Sequence, residues 1–141
     1  MKISVLVAAL SLSMTTLLAA PVAFAAAPAV QILPSGVTVK HLTVGQGAQP
    51  TAADTVQVNY RGTLADGTEF DSSYKRGQPI SFPLSQVIGC WTQGVAQMHV
   101  GGKAELTCPS DTAYGARGVP GTIPANATLT FQVELLAVIN K

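Results

Sequence analysis

The sequence predicts an α+β domain in which about five antiparallel strands are covered on one face by a single short helix. Three observations carry this reading. Several runs alternate apolar and polar residues with a period of two, and Gly, Pro and Asp clusters separate them. One convincing stretch, Ile88 to Met98, spaces its apolar residues as a helix does. The chain of 141 residues has room for one domain and little more.

The amino terminus stands apart from that domain. Lys2 precedes an apolar run from Ile3 to Leu18, Pro21 breaks it, and Ala23-Phe24-Ala25 fits the small-x-small pattern at which exported chains are cut. Residues 1–25 are therefore read as a signal peptide, with Ala26 as the first residue after cleavage. The alternative, an uncleaved anchor, has a run at about the lower limit of 17 residues for a bilayer span. Residues 26–36 are Ala- and Pro-rich and are expected to form a flexible leader, which places the domain at 37–141. An exported chain, periplasmic or secreted, resides where disulfides persist, and no membrane contact is expected after cleavage.

The elements follow in order. Val37 and Val39, with His41 beyond them, alternate with Thr38, Lys40 and Leu42 in a strand that ends at Gly45-Gln46-Gly47. Val56, Val58 and Tyr60 alternate with Gln57, Asn59 and Arg61 in a second, half-buried strand. Asp66-Gly67 marks a tight hairpin into a strand holding Phe70. Asp71-Ser72-Ser73 and Arg76-Gly77-Gln78-Pro79 read as irregular chain before the short alternation Ile80-Ser81-Phe82. Ile88, Trp91, Val95 and Met98 define the helix, which Gly101-Gly102 stops. Ala104, Leu106 and Cys108 then alternate with Lys103, Glu105 and Thr107. A long loop spans Pro109 to Pro124, and the last strand turns Leu129, Phe131, Val133 and Leu135 to one face.

Charge removes one function class. Eight Lys and Arg, Lys2 among them, stand against seven Asp and Glu. A chain that is neutral once its leader is gone cannot neutralise phosphates, so nucleic acid is excluded as a partner.

A search for reactive groups finds little. His41 and His99 show no metal-ligand spacing with Cys90 and Cys108, and no metal or other cofactor is expected. Ser72-x-x-Lys75 matches an acyl-enzyme motif whose companion elements are missing, so it reads as a polar turn. No Gly-x-Gly-x-x-Gly opens a helix after a strand. Asn126-Ala127-Thr128 is a glycosylation acceptor only in a eukaryotic secretory pathway. What remains is a set of apolar residues, Tyr60, Phe70, Phe82, Ile88, Trp91, Tyr114 and Phe131. By composition alone these are either one small core or the lining of a pocket.

The residues between them carry a resemblance. Val58-Asn59-Tyr60-x-Gly62, Asp66-Gly67-x-x-Phe70-Asp71-Ser72-Ser73, Val87-Ile88-x-x-Trp91 and Gly94-Val95-x-x-Met98 follow in order. Ala113-Tyr114-Gly115, Gly118, Ile123-Pro124 and Ala127-Thr128-Leu129-x-Phe131-x-Val133-Glu134-Leu135-Leu136 complete the series. From about Thr55 to Asn140, residues 55–140, the chain resembles the exported bacterial FKBP-type peptidyl-prolyl cis-trans isomerases.

The resemblance implies a five- or six-stranded antiparallel half-barrel wrapped around one short helix, with an apolar pocket between them. It implies Trp91 as the pocket floor, with Tyr60, Phe70, Phe82, Val87, Ile88, Ile123 and Phe131 around it. It makes Tyr114 and the Ile88 N–H the donors to substrate carbonyls. Asp71 stands at the rim, held by Arg76, where it orients the pocket or faces the substrate carbonyl; on its own sequence it equally reads as a cap of the Ser72-Ser73 turn. The implied partners are proline-containing polypeptides and macrolide-type inhibitors. The implied activity is X–Pro isomerisation during folding of exported proteins, with a chaperone or partner-binding module using the same pocket as the alternative. No long helical dimerisation segment precedes Val37, so a monomer is expected.

Three departures from the family pattern stand out, the first two of which bear on substrate preference. Ile80 stands where many members carry an aromatic residue, Val119 and Thr122 replace other common residues, and Cys90 stands where the family has Gly before the Trp. Cys90 and Cys108 are the only cysteines in an exported chain, so they are expected to form a disulfide between helix and sheet.

Overall fold

The computed structural model describes residues 29–139. The expected signal peptide and residues 26–28 lie outside them. Seven strands form one antiparallel sheet: β1 (Val30–Ile32), β2 (Thr38–Thr43), β3 (Thr55–Leu64), β4 (Glu69–Ser72), β5 (Ile80–Pro83), β6 (Lys103–Cys108) and β7 (Leu129–Ile139). Their order is β1-β2-β6-β7-β3-β4, with β5 also paired to β3. The sheet is an open half-barrel that wraps helix α2 (Gly89–Gly94), which continues as a 3-10 turn at Val95–Gln97.

The inward residues are those the alternation selects. Val56, Val58 and Tyr60 on β3, Ala104, Leu106 and Cys108 on β6, and Leu129, Phe131, Val133 and Leu135 on β7 are all buried. Cys90, Trp91, Val95 and Met98 bury the helix face opposite them. The long β3 and β7 form the centre, in register from Thr55↔Ile139 to Leu64↔Leu129 with one irregularity between Gln57 and Val58. At the hairpin after β3, Gly67 has φ +87°, which an L side chain rarely adopts.

The second edge of β3 is shared between two strands. β5 pairs with its first half, Thr55 to Val58, and β4 with its second, Arg61 to Thr63. Between them the chain leaves the sheet through α1 (Ser73–Arg76), a single turn. The Tyr60 N–H falls in that gap and donates instead to Ser73 Oγ at 2.9 Å. The sheet thus loses a ladder bond at Tyr60 and gains an opening beside its ring.

Two expectations are corrected. The flexible leader expected over 26–36 gives way at Val30–Ile32, which pairs antiparallel with Lys40 to Thr38 of β2. The open edge of β2 offers a ladder that a three-residue apolar–polar–apolar run can take, and so short an alternation is not legible by itself. With this strand the expected half-barrel has seven strands. Ser73–Arg76, expected as irregular, is helical for one turn and ends on Gly77 in the left-handed region at φ +72°. A single turn is too short to carry a helical period.

Candidate functional site

A cavity of about 520 Å³ opens between α2 and the sheet. Its base is Trp91, 4% exposed at the start of α2. Three rings meet the indole edge-on: Tyr60 from β3 at 5.1 Å, Phe82 from β5 at 5.4 Å and Phe131 from β7 at 5.4 Å between centroids. Phe70 from β4 extends the wall by packing on Phe131 at 5.6 Å. That pair depends on Gly62 of β3, because a Cβ there would lie 2.6 Å from Phe70 and 2.9 Å from Phe131. Each contact is T-shaped, the arrangement favoured by ring quadrupoles.

The Trp91 indole N–H is buried and finds no acceptor among the described residues. An unpaired buried donor costs roughly 1–3 kcal/mol, which Leu or Phe at this position would avoid.

Val87 and Ile88 form one side of the opening, on the segment that leads into α2. This segment is pinned by Thr92, whose hydroxyl donates to the Leu84 carbonyl at 2.6 Å. The Ile88 carbonyl accepts from Trp91 N–H at 2.9 Å and Thr92 N–H at 3.2 Å. As the residue that caps α2, Ile88 keeps its own N–H outside the helical ladder, and among the described residues nothing accepts it. Tyr114 stands at the rim, 41% exposed, on the long loop after β6. The Asn126 N–H closes that loop onto the Gly115 carbonyl at 2.9 Å.

Asp71 is the one charged residue lining the cavity. Its carboxylate accepts from the Tyr60 hydroxyl, from the Arg76 guanidinium and from the Ser72 N–H at 2.9 Å. Arg76 also donates to the Tyr60 hydroxyl at 3.1 Å. Burial alone would raise the Asp71 carboxyl, but these bonds and the guanidinium charge outweigh it and hold the group below its usual 3.8. Tyr60 is pushed up to about 12, first by burial and then by the bond to Asp71. The cavity thus presents an aromatic cup, a neutralised carboxylate, and two donors at its mouth. It holds no nucleophile beside a base: Lys75 pairs with Glu69 at 3.0 Å, not with Ser72.

The profile of the FKBP-type peptidyl-prolyl cis-trans isomerases matches residues 46–136. The chain belongs to this family. FkpA of Aeromonas hydrophila, an FKBP-type peptidyl-prolyl cis-trans isomerase, is 55% identical over 104 residues, 74% of this chain and 38% of that protein. The crystal structure of Escherichia coli FkpA superposes with a TM-score of 0.74 at 50% identity, covering 77% of this chain and 51% of that one. A peptidyl-prolyl cis-trans isomerase from Pseudomonas syringae gives a TM-score of 0.75 at 42% identity, covering 80% and 83%. The chain spans about two-fifths of the FkpA relatives it matches in sequence.

Within this FKBP-type domain Tyr60, Phe70, Asp71, Phe82, Val87, Ile88, Trp91, Tyr114 and Phe131 line the cavity, and Arg76 touches two of them, Tyr60 and Asp71, without lining it. Ile123 is 6% exposed in the core and does not line the cavity. Its backbone is bridged to Val119 within the long loop, and it belongs to the buried core cluster. Gln86 lines the cavity and was not among the expected residues. As an exposed polar residue outside any periodic run, it carries no sequence signal except its place beside Val87. Cys90 and Cys108 form the expected disulfide, with 5.6 Å between their Cα atoms.

Proposed function

We propose that the chain is a peptidyl-prolyl cis-trans isomerase acting on exported polypeptides as they fold. The observation that carries this is the Trp91 floor, ringed edge-on by Tyr60, Phe82 and Phe131, with a neutralised Asp71 at the side. Export is read from the signal-like amino terminus.

An X–Pro bond turns slowly because twisting it breaks amide resonance, a barrier of roughly 18–20 kcal/mol. No nucleophile, acid or metal ion is needed to lower it. The planar amide carries more charge separation than the twisted one, so an apolar cup disfavours the ground state more than the transition state. The proline ring rests on Trp91 between Tyr60, Phe82 and Phe131, while the Ile88 N–H and the Tyr114 hydroxyl take carbonyls on either side. Asp71, held by Tyr60 and Arg76, fixes the Tyr60 ring and presents a carboxylate toward the amide carbonyl carbon. The same cup would admit macrolide-type inhibitors.

Refolding of a protein limited by a slow proline step tests this against a pure chaperone. Acceleration of the slow phase at substoichiometric protein is the expected result. A slow phase left unchanged or retarded would point to binding without turnover.

A further inference from the structure

Gln86 lines the aromatic cavity, and the steps that turn the X–Pro bond leave it without a task. It ends the 3-10 turn Leu84–Gln86 and is exposed. Gln31, Gln49 and Gln93 use their side-chain amides in hydrogen bonds, whereas that of Gln86 has no partner among the described residues. The neighbouring polar groups are committed. Asp71 accepts from Tyr60, Arg76 and Ser72, and the Tyr60 hydroxyl both donates and accepts.

We propose that Gln86 is a specificity-determining residue. Its side-chain amide pairs with the substrate peptide group next beyond the one held at Ile88, so the site selects an extended polypeptide over an isolated X–Pro unit. This rests on the isomerase reading of the same cavity.

The backbone supplies the register. Val87, between the two residues, is extended at φ −112° and ψ 175°, and Ile88 continues in the polyproline region at φ −57° and ψ 148°. Extended chain advances about 6–7 Å over two residues, so Gln86 lies that far along the rim from the Ile88 N–H. A substrate strand beside this segment, with one carbonyl on Ile88, brings its next peptide unit to Gln86. A primary amide carries an acceptor oxygen and two N–H donors, the complement of a peptide N–H and C=O. Such pairing reads backbone and not side chains, so it selects for chain length and tolerates varied sequence. Asp71, the one charged residue lining the cavity, is already paired with Arg76, so no unpaired lining charge competes for the flanking residues.

The test compares the full chain with its Gln86→Met variant. Met keeps the length and apolar body of the side chain and removes its strong hydrogen bonds. The ligands are an X–Pro unit with small caps at both ends and the same unit extended by two alanines before X or after Pro. Dissociation constants come from the fluorescence of Trp91, the single tryptophan of the chain. In the wild type, one extension should tighten binding by about three- to tenfold, the worth of one neutral hydrogen bond. Gln86→Met should lose that gain and bind the capped unit as the wild type does. In turnover, the loss should fall on KM and leave kcat unchanged. Gains from extension that are equal in the two proteins would overturn the proposal. So would a wild type that gains nothing from either extension, or a variant that weakens capped and extended ligands alike. Binding is read apart from turnover. A wild type that shows the Gln86-dependent gain yet leaves X–Pro exchange at its uncatalysed rate would overturn the isomerase reading and retain this contact. Melting curves should coincide for the two proteins, since Gln86 is exposed; Gln86→Ala replaces the variant if they do not.

Discussion

Cys90, the residue before Trp91, is disulfide-bonded to Cys108 at the end of β6, with 5.6 Å between their Cα atoms. β6 is paired on both sides, with β2 and β7, so the bond ties the pocket floor to an interior strand of the sheet. Closing a loop with a sequence separation of 18 adds about 3 kcal/mol in the chain-entropy view. The Cys90→Ala/Cys108→Ala variant should therefore melt well below the wild type, while its turnover in the cold changes little. Coincident thermal unfolding curves would show that the bridge contributes nothing.

Trp91 should separate stability from catalysis. Trp91→Ala removes a buried ring that three others contact, and should cost about 3–5 kcal/mol along with most activity. Trp91→Leu retains more of the volume, so it should fold and still turn over slowly. A Leu variant that refolds proline-limited substrates as fast as the wild type would reduce Trp91 to packing.

Tyr114 is exposed enough that its hydroxyl can be deleted without disturbing the core. Tyr114→Phe should leave the melting temperature unchanged and weaken substrate binding by about 0.5–1.5 kcal/mol, the net worth of one neutral hydrogen bond. The effect belongs in KM rather than in folding. Unaltered KM and kcat together would mean that the hydroxyl faces only solvent.

The Asp71–Arg76–Tyr60 group predicts a definite pH dependence. A carboxyl held below 3.8 in the folded state contributes stability that is complete above its unfolded value and fades as pH falls through the lower folded value. Tyr60, raised to about 12, contributes stability that is complete below its usual 10.0 and is lost as pH climbs through the folded value. Between these limits the group keeps one charge state, so activity should stay flat from mildly acid to mildly basic pH. Arg76→Leu should move the acid limb of thermal stability toward higher pH. Identical acid limbs for the two proteins would show that Arg76 does not hold Asp71.

The central strands and the cup were legible in the sequence because both rest on strong local signals. Period-two alternation in β3, β6 and β7 selects the residues that are buried, and Ile88, Trp91, Val95 and Met98 mark the face that α2 and its 3-10 extension bury or half-bury. Other features depend on contacts distant in sequence. β1 exists because β2 offers an open edge, and three residues hold too little pattern to announce it. Gln86 reaches the cavity only through the turn that Thr92 pins to Leu84. Ile123 shows the reverse: its motif is clear, yet the residue is buried in the core cluster.

Cis–trans exchange of a short X–Pro peptide, followed at equilibrium by NMR exchange spectroscopy, tests the central claim most directly. Free peptide exchanges over tens to hundreds of seconds. With a small fraction of an equivalent of this protein, exchange should become fast enough to give cross-peaks between the two isomers, and Trp91→Leu should remove most of that gain. Exchange at the uncatalysed rate, with wild-type protein shown to be folded, would contradict the account.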